Sequence, residues 1–138
     1  MSQLEETFLD AWREHGIDIE PKRQFTIEGV CSEKDGRLLK FDFAFPEHRI
    51  LIELDGFGYR GKGGGHQTQA GMEANYRKRR HAQLLGWRVI WYCSGCLKSK
   101  ERLRDAIHEV MYLMADSGVV HAKRKVSSKF LRTKRSVP

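Results

Sequence analysis

Acidic residues disappear from this sequence after Asp116, cysteine is scarce, and no apolar run approaches the roughly 18 residues a membrane-spanning helix requires. Each absence excludes something. Without a long apolar run there is no candidate membrane span, and the opening MSQLEETFLDAW is acidic and amphipathic where an export signal is basic and then apolar. A cytoplasmic protein that does not engage a membrane is expected. Cys31, Cys93 and Cys96 are an odd set with no export signal, which argues against a disulfide framework. Cys93-Ser94-Gly95-Cys96 has the spacing of half a zinc site, but no second close Cys/His pair follows. Reduced packing thiols are the simpler reading, and a zinc site completed by Cys31 and a distant histidine is the alternative. Beyond the last acid, Lys123, Arg124, Lys125, Lys129, Arg132, Lys134 and Arg135 account for the whole formal net charge of +7, so the preceding chain is balanced. Such a tail suits a polyanion, because each Lys or Arg that neutralises a phosphate releases condensed counterions. Its alternative is a solvated segment that aids solubility.

What is present is enough for one domain: 138 residues, 40% hydrophobic and 31% charged. We expect a folded domain over residues 1–118 and a basic tail over 119–138. Ser2 is placed to cap a helix carrying Leu4, Phe8 and Trp12, closed by Gly16. KRQFTIEGVC, LLKFDFAF and ILIELD read as three strands, joined first at Asp35-Gly36 and then through Pro46-Glu47-His48-Arg49. GFGYRGKGGGHQTQAG, residues 56–71, reads as a loop. MEANYRKRRHAQLLG follows as a helix closed by Gly86, then WRVIWY as a strand. The last helix, within KSKERLRDAIHEVMYLMADSG, carries Leu103, Ile107, Val110, Met111 and Met114 on one stripe. The order α-β-β-β-α-β-α contains no internal repeat and predicts an α/β fold with a mixed central sheet flanked by helices.

The strand pair FDFAF and ILIELD carries the chemistry. A turn that pairs Phe45 with Ile50 sets Phe43 opposite Ile52, Asp42 opposite Glu53 and Phe41 opposite Leu54. Asp42, Glu53 and Asp55 then share one face with Ala44 and Leu51, while Phe41, Phe43 and Phe45 share the other. Like charges directly opposed are destabilising, so the three acids call for a compensating cation. Mg²⁺, or Mn²⁺ in its place, takes carboxylate oxygens and keeps positions open for phosphate. The competing reading is an exposed sheet face whose acids pair with Lys40, Arg37 and Arg49.

Basic residues cluster around these acids in sequence. Arg60 and Lys62 lie in the glycine-rich loop, and Arg77, Lys78, Arg79 and Arg80 lie in the next helix, where they could grip a phosphodiester or form a solvated face. Lys78 is the one we assign to the chemistry: Glu73 and Arg77 are spaced i, i+4, and Lys78 lies on an adjacent face from which it can point back over the sheet. His66 follows three glycines and is a candidate acid, base or phosphate contact, or an idle surface residue.

FDF, then IELDG, then GGH, then G-M-E-x-N-x-x-K ahead of LLGWRVIWY resembles the PD-(D/E)XK nuclease superfamily, in particular the small phage and bacterial endonucleases of the very-short-patch-repair group. The likeness covers residues 2 to about 110. It implies a restriction-endonuclease-like α-β-β-β-α-β core and a metal held by Asp42 and Glu53. Asp55 stands where the best-known members carry lysine, and Lys78 matches the basic residue that relatives of this subgroup draw from the following helix. His66 and Glu73 match the preceding motif, and Glu5 falls where many members keep an acid directed at the site. Asn75 stands where similar sequences look acidic, and Arg79-Arg80 replace a pattern closer to Tyr-Asn.

The resulting expectation is a Mg²⁺-dependent endodeoxyribonuclease with Asp42, Glu53, Asp55, Lys78, His66 and Glu73 as catalytic candidates. Arg60, Lys62, Arg77, Arg79, Arg80, Lys123, Arg124 and Lys125 are the expected DNA contacts. Its rivals are a non-catalytic nucleic-acid-binding protein of the same fold, an RNase, and a junction-resolving nuclease, toward which formation of a homodimer would point.

Overall fold

The structure, a computed structural model, describes residues 1–15, 17–56 and 68–116. Gly16, the loop candidates Arg60, Lys62 and His66, and the tail candidates Lys123, Arg124 and Lys125 lie outside the described residues. The described residues divide into two compact units: those of Pro21–Gly95, and those of Met1–Glu20 together with the described residues from Cys96 to Asp116.

The unit Pro21–Gly95 is α/β. It contains β1 (Lys22–Cys31), β2 (Leu38–Phe45), a 3₁₀ turn (Pro46–His48), β3 (Ile50–Asp55), α1 (Gln69–Leu84) and β4 (Arg88–Cys93). The four strands form one sheet in the order β1-β2-β3-β4; the first two junctions are antiparallel and β3-β4 is parallel, so the sheet is mixed. A parallel neighbour demands a long crossover, and α1, which packs on β1 and β4, lies in that connection.

Phe45 pairs with Ile50, Ala44 with Leu51 and Phe43 with Ile52, which is the register expected from the apolar boundaries of PEHR. All six side chains are essentially buried, in accord with central strands that read as near-continuous apolar runs. Strict alternation fails one residue earlier. Phe41, expected beside Phe43, instead joins Ala44 and Leu51 in a core with Ile27, Val30 and Ala82. On the neighbouring strand, β1 pairs Arg23 with Phe43 and Phe25 with Phe41 in one continuous register, with Gln24 between them at φ +49°.

α1 begins three residues before the expected start. Thr68 caps it, accepting from the Gly71 N–H at 3.0 Å, so Gln69, Ala70 and Gly71 are helical where a loop was expected. At its other end Gly86 (φ +93°) donates to the Gln83 carbonyl and Trp87 to the Ala82 carbonyl, both at 3.0 Å. These are the two bonds of a Schellman cap, whose left-handed position glycine fills without strain.

The other unit contains α2 (Gln3–Glu14) and α3 (Lys100–Asp116), which pack on each other, and a 3₁₀ turn over Ser94–Leu97 runs into it. Ser2 caps α2 by accepting from the Glu5 N–H at 3.1 Å. Phe8 and Trp12 are buried as their spacing predicts, with Leu9 and Ala11, and the Trp12 indole donates to the Ile19 carbonyl at 2.8 Å. α3 buries Ala106, Ile107, Val110, Met111 and Met114, while Leu103 is half-buried. Among the described residues, no helix is long and apolar enough to cross a membrane.

Candidate active site

Asp42 and Glu53 meet where the β2-β3 pairing ends, and they meet through the backbone. The Asp42 N–H donates to Glu53 Oε1 at 3.1 Å, and the Leu54 N–H donates to Asp42 Oδ2 at 2.8 Å. Each carboxylate thus takes a donor from the opposite strand, a charge-assisted bond that fixes both side chains against the sheet. Glu53 is buried, at 8% exposure, in a strand otherwise lined by Ile50, Leu51 and Ile52.

Lys78 crosses from α1 to meet it. Its ammonium donates to Glu53 Oε2 and to the Lys40 carbonyl at 2.5 Å, and lies 4.5 Å from the centre of the Phe41 ring. The Glu53 and Lys78 side chains are only 10% and 12% exposed, so the pair is shielded from water and salt.

Burial nevertheless dominates the electrostatics. Loss of hydration pushes the Glu53 carboxyl from its ordinary 4.5 up to about 7, Lys78 opposes the shift through charge and hydrogen bonding, and Asp42 adds to it. A second positive charge beside Glu53 would relieve the remaining penalty.

The four consecutive cations of α1 separate completely. Arg77 donates to the Cys31 carbonyl at 3.0 Å, Lys78 reaches Glu53, and Arg79 lies over the Trp91 ring at 4.7 Å. Trp91 is the β4 partner of Glu53. Arg80 is exposed. Positions 78, 79 and 82 meet the sheet with Lys, Arg and Ala, so this helix has no apolar stripe to reveal its inner face. The Arg79 Nε is buried and has no hydrogen-bond partner.

The remaining candidates are dispersed. Asp55 is half-buried at the end of β3, opposite Cys93. Glu73 is exposed on α1 and accepts from Gln69 at 3.2 Å. Glu5 takes the Ser2 hydroxyl at 3.3 Å in the N-terminal capping pair. Among the described residues no group of three or more His, Cys, Asp or Glu side chains is arranged to hold a metal ion. The expected cradle of Asp42, Glu53 and Asp55 is therefore not present as a threesome; Asp42 and Glu53 turn oxygens inward onto backbone N–H groups. Cys93 and Cys96 likewise belong to no such group, and no disulfide joins the cysteines. The exposed-face reading also fails for Glu53. Its cation is Lys78, while Arg37 sits 3.8 Å from Asp35 and Arg49 lies over Trp87.

Pattern reasoning missed the Lys40 carbonyl, the Phe41 ring and Trp91. The only signal for Trp91 was its alignment with Glu53, which required knowing that β4 is parallel to β3. In comparisons with family models, curated proteins and solved structures, nothing matches the chain.

Proposed function

We propose that this chain is a metal-dependent endodeoxyribonuclease with a restriction-endonuclease-like core, hydrolysing DNA phosphodiester bonds inside the cell. One observation carries the reading: two carboxylates from adjacent strands interlock beside a lysine delivered by the next helix. Mg²⁺ binds through one or two carboxylates and completes its shell with water and phosphate oxygens, so the pair Asp42 and Glu53 fits it without a third acid, and Asp55 remains the proposed outer member. When bound, the ion supplies a water of lowered pKa and positive charge for the phosphoryl oxygens.

The chain's own residues do the rest. The backbone bonds hold Asp42 and Glu53 in one geometry before substrate arrives, which avoids reorganisation during reaction. Lys78, the cation against Glu53, offsets charge that develops on a phosphate held there. Arg80 with Arg60, Lys62 and the tail residues Lys123, Arg124 and Lys125 supply grip on DNA, with His66 as a further candidate for proton transfer. Cleavage of plasmid and branched DNA in Mg²⁺ or Mn²⁺ tests this: the wild type cuts and Asp42→Ala does not, and equal rates sink the reading.

One observation favours a second reading, a nucleic-acid-binding protein without catalysis: Lys78 already meets the charge of Glu53. Calorimetry with Mn²⁺ separates the two. The nuclease reading expects a binding site that disappears in Asp42→Ala; the binding-protein reading expects none. Deleting residues 121–138 lowers the salt dependence of DNA binding if the tail contributes grip in either case.

A further inference from the structure

Next to the Asp42, Glu53 and Lys78 cluster lies a cleft of about 720 Å³ between α1 and the turn joining β1 to β2. Its walls begin one residue from the cluster on two elements. Leu39 precedes Lys40, whose carbonyl receives the Lys78 ammonium, and Arg77 precedes Lys78 itself. Because consecutive Cα atoms are about 3.8 Å apart, this adjacency on both elements sets the cleft wall beside the cluster, where a strand held by its phosphate at the cluster would present an adjoining nucleotide.

The lining suits such a guest. Ala70 and Ala74 are small and leave room on the helix wall, and Tyr76 stands beside them at 54% exposure. An aromatic ring left this exposed is the group on which a base stacks, whatever its identity. Lys34 and Arg80 are exposed at the rim, and Arg77 is anchored by its bond to the Cys31 carbonyl. Glu33 and Glu73 also line the cleft, so three cations face two acids. That balance fits one phosphate. The volume lies within the range of clefts that take a small molecule, and a base offers its face to an aromatic ring only when it has left the duplex stack.

We propose that this cleft receives a single unpaired nucleotide, its base on Tyr76 and its phosphate met by Arg80 and Lys34. The substrate class of the neighbouring cluster is then DNA with a single-stranded segment at the cut. This inference rests on the nuclease reading for the role of the cluster, but it is testable by binding alone.

The full-length protein is titrated, in chelator so that no cleavage occurs, with two DNA hairpins that differ only in whether one 2-aminopurine is unpaired or paired. The expected result is tighter binding of the unpaired form by roughly 5- to 150-fold, the range of one base stacked on an aromatic ring. Tyr76→Phe keeps that preference and Tyr76→Ala abolishes it. Equal affinity of the wild type for both hairpins, including none for either, overturns the proposal, as does a preference that survives in Tyr76→Ala. The comparison of wild type with Asp42→Ala in cleavage decides the nuclease reading separately.

Discussion

The β2-β3 hairpin and helix α1 contribute to the same cluster by opposite means. In the hairpin, neighbouring residues are sorted by the pleat: apolar side chains fill the interior, and two acids are held where backbone pairing ends. In the helix, residues of one charge type are sorted by rotation, so Arg77, Lys78, Arg79 and Arg80 have four different surroundings within about one turn. A run of like charges is thus a poor guide to function when a helix lies on a sheet. Two of these cations lie against the protein's own interior, one ties the helix to β1, and one is exposed.

Changing the shared contact should break this comparison most severely. Lys78→Met leaves Glu53 buried beside Asp42 without its cation, and removing one member of a buried pair costs about 3 kcal/mol or more. Denaturant unfolding at pH 8 is expected to show that loss, with a smaller one at pH 5, where a neutral Glu53 no longer needs its partner. A similar loss at both values would mean that Lys78 acts through packing alone.

The pH dependence of stability follows from Glu53 itself. Its carboxyl titrates near 7 in the folded chain against 4.5 ordinarily, so the folded state holds the proton more tightly. Stability from this group is full below about pH 4.5 and falls as pH rises through 7, by roughly 3 kcal/mol in all. Glu53→Gln should flatten that part of the profile, and an unchanged slope would assign it to other groups.

Within the helix, Arg79→Ala should lower the unfolding free energy by about 1 kcal/mol through loss of the Trp91 contact. Arg80→Ala should stay within about 0.5 kcal/mol of wild type. Equal effects would erase the distinction between inward and outward cations.

At the edge of the sheet, Gly29→Ala introduces a side chain at φ +97°, where its Cβ would lie 2.9 Å from a Leu85 methyl. A destabilisation of about 1 kcal/mol is expected, readable in the same unfolding experiment. No change would show that Leu85 moves aside and the backbone relaxes.

Much of the framework was legible residue by residue. Ser2 and Gly86 marked helix ends because capping is local chemistry, and the three strand ranges Lys22–Cys31, Leu38–Phe45 and Ile50–Asp55 matched their apolar runs. Phe41 was misplaced because strict alternation was carried along the whole of β2, and the run FDFAF bears no mark of the break that groups Phe41 with Ala44 and Leu51. The start of α1 was misread because glycine near Thr68 outweighed a capping threonine. Tyr76 and Lys34 drew no notice, since nothing in their spacing places a turn beside a helix 40 residues later.

The amino-acid sequence alone determined the β2-β3 register, since the apolar boundaries of the PEHR turn leave one pairing that keeps Phe43, Phe45, Ile50 and Ile52 out of water. It likewise set Asp42 beside Glu53, though not Asp55 with them as expected. Only the tertiary structure decided that Glu53 is buried, that its cation is Lys78, and that Arg80 alone of its run is exposed. Register depends on residues a few positions apart, whereas the depth of a carboxylate and the rotation of a helix are set by everything packed against them.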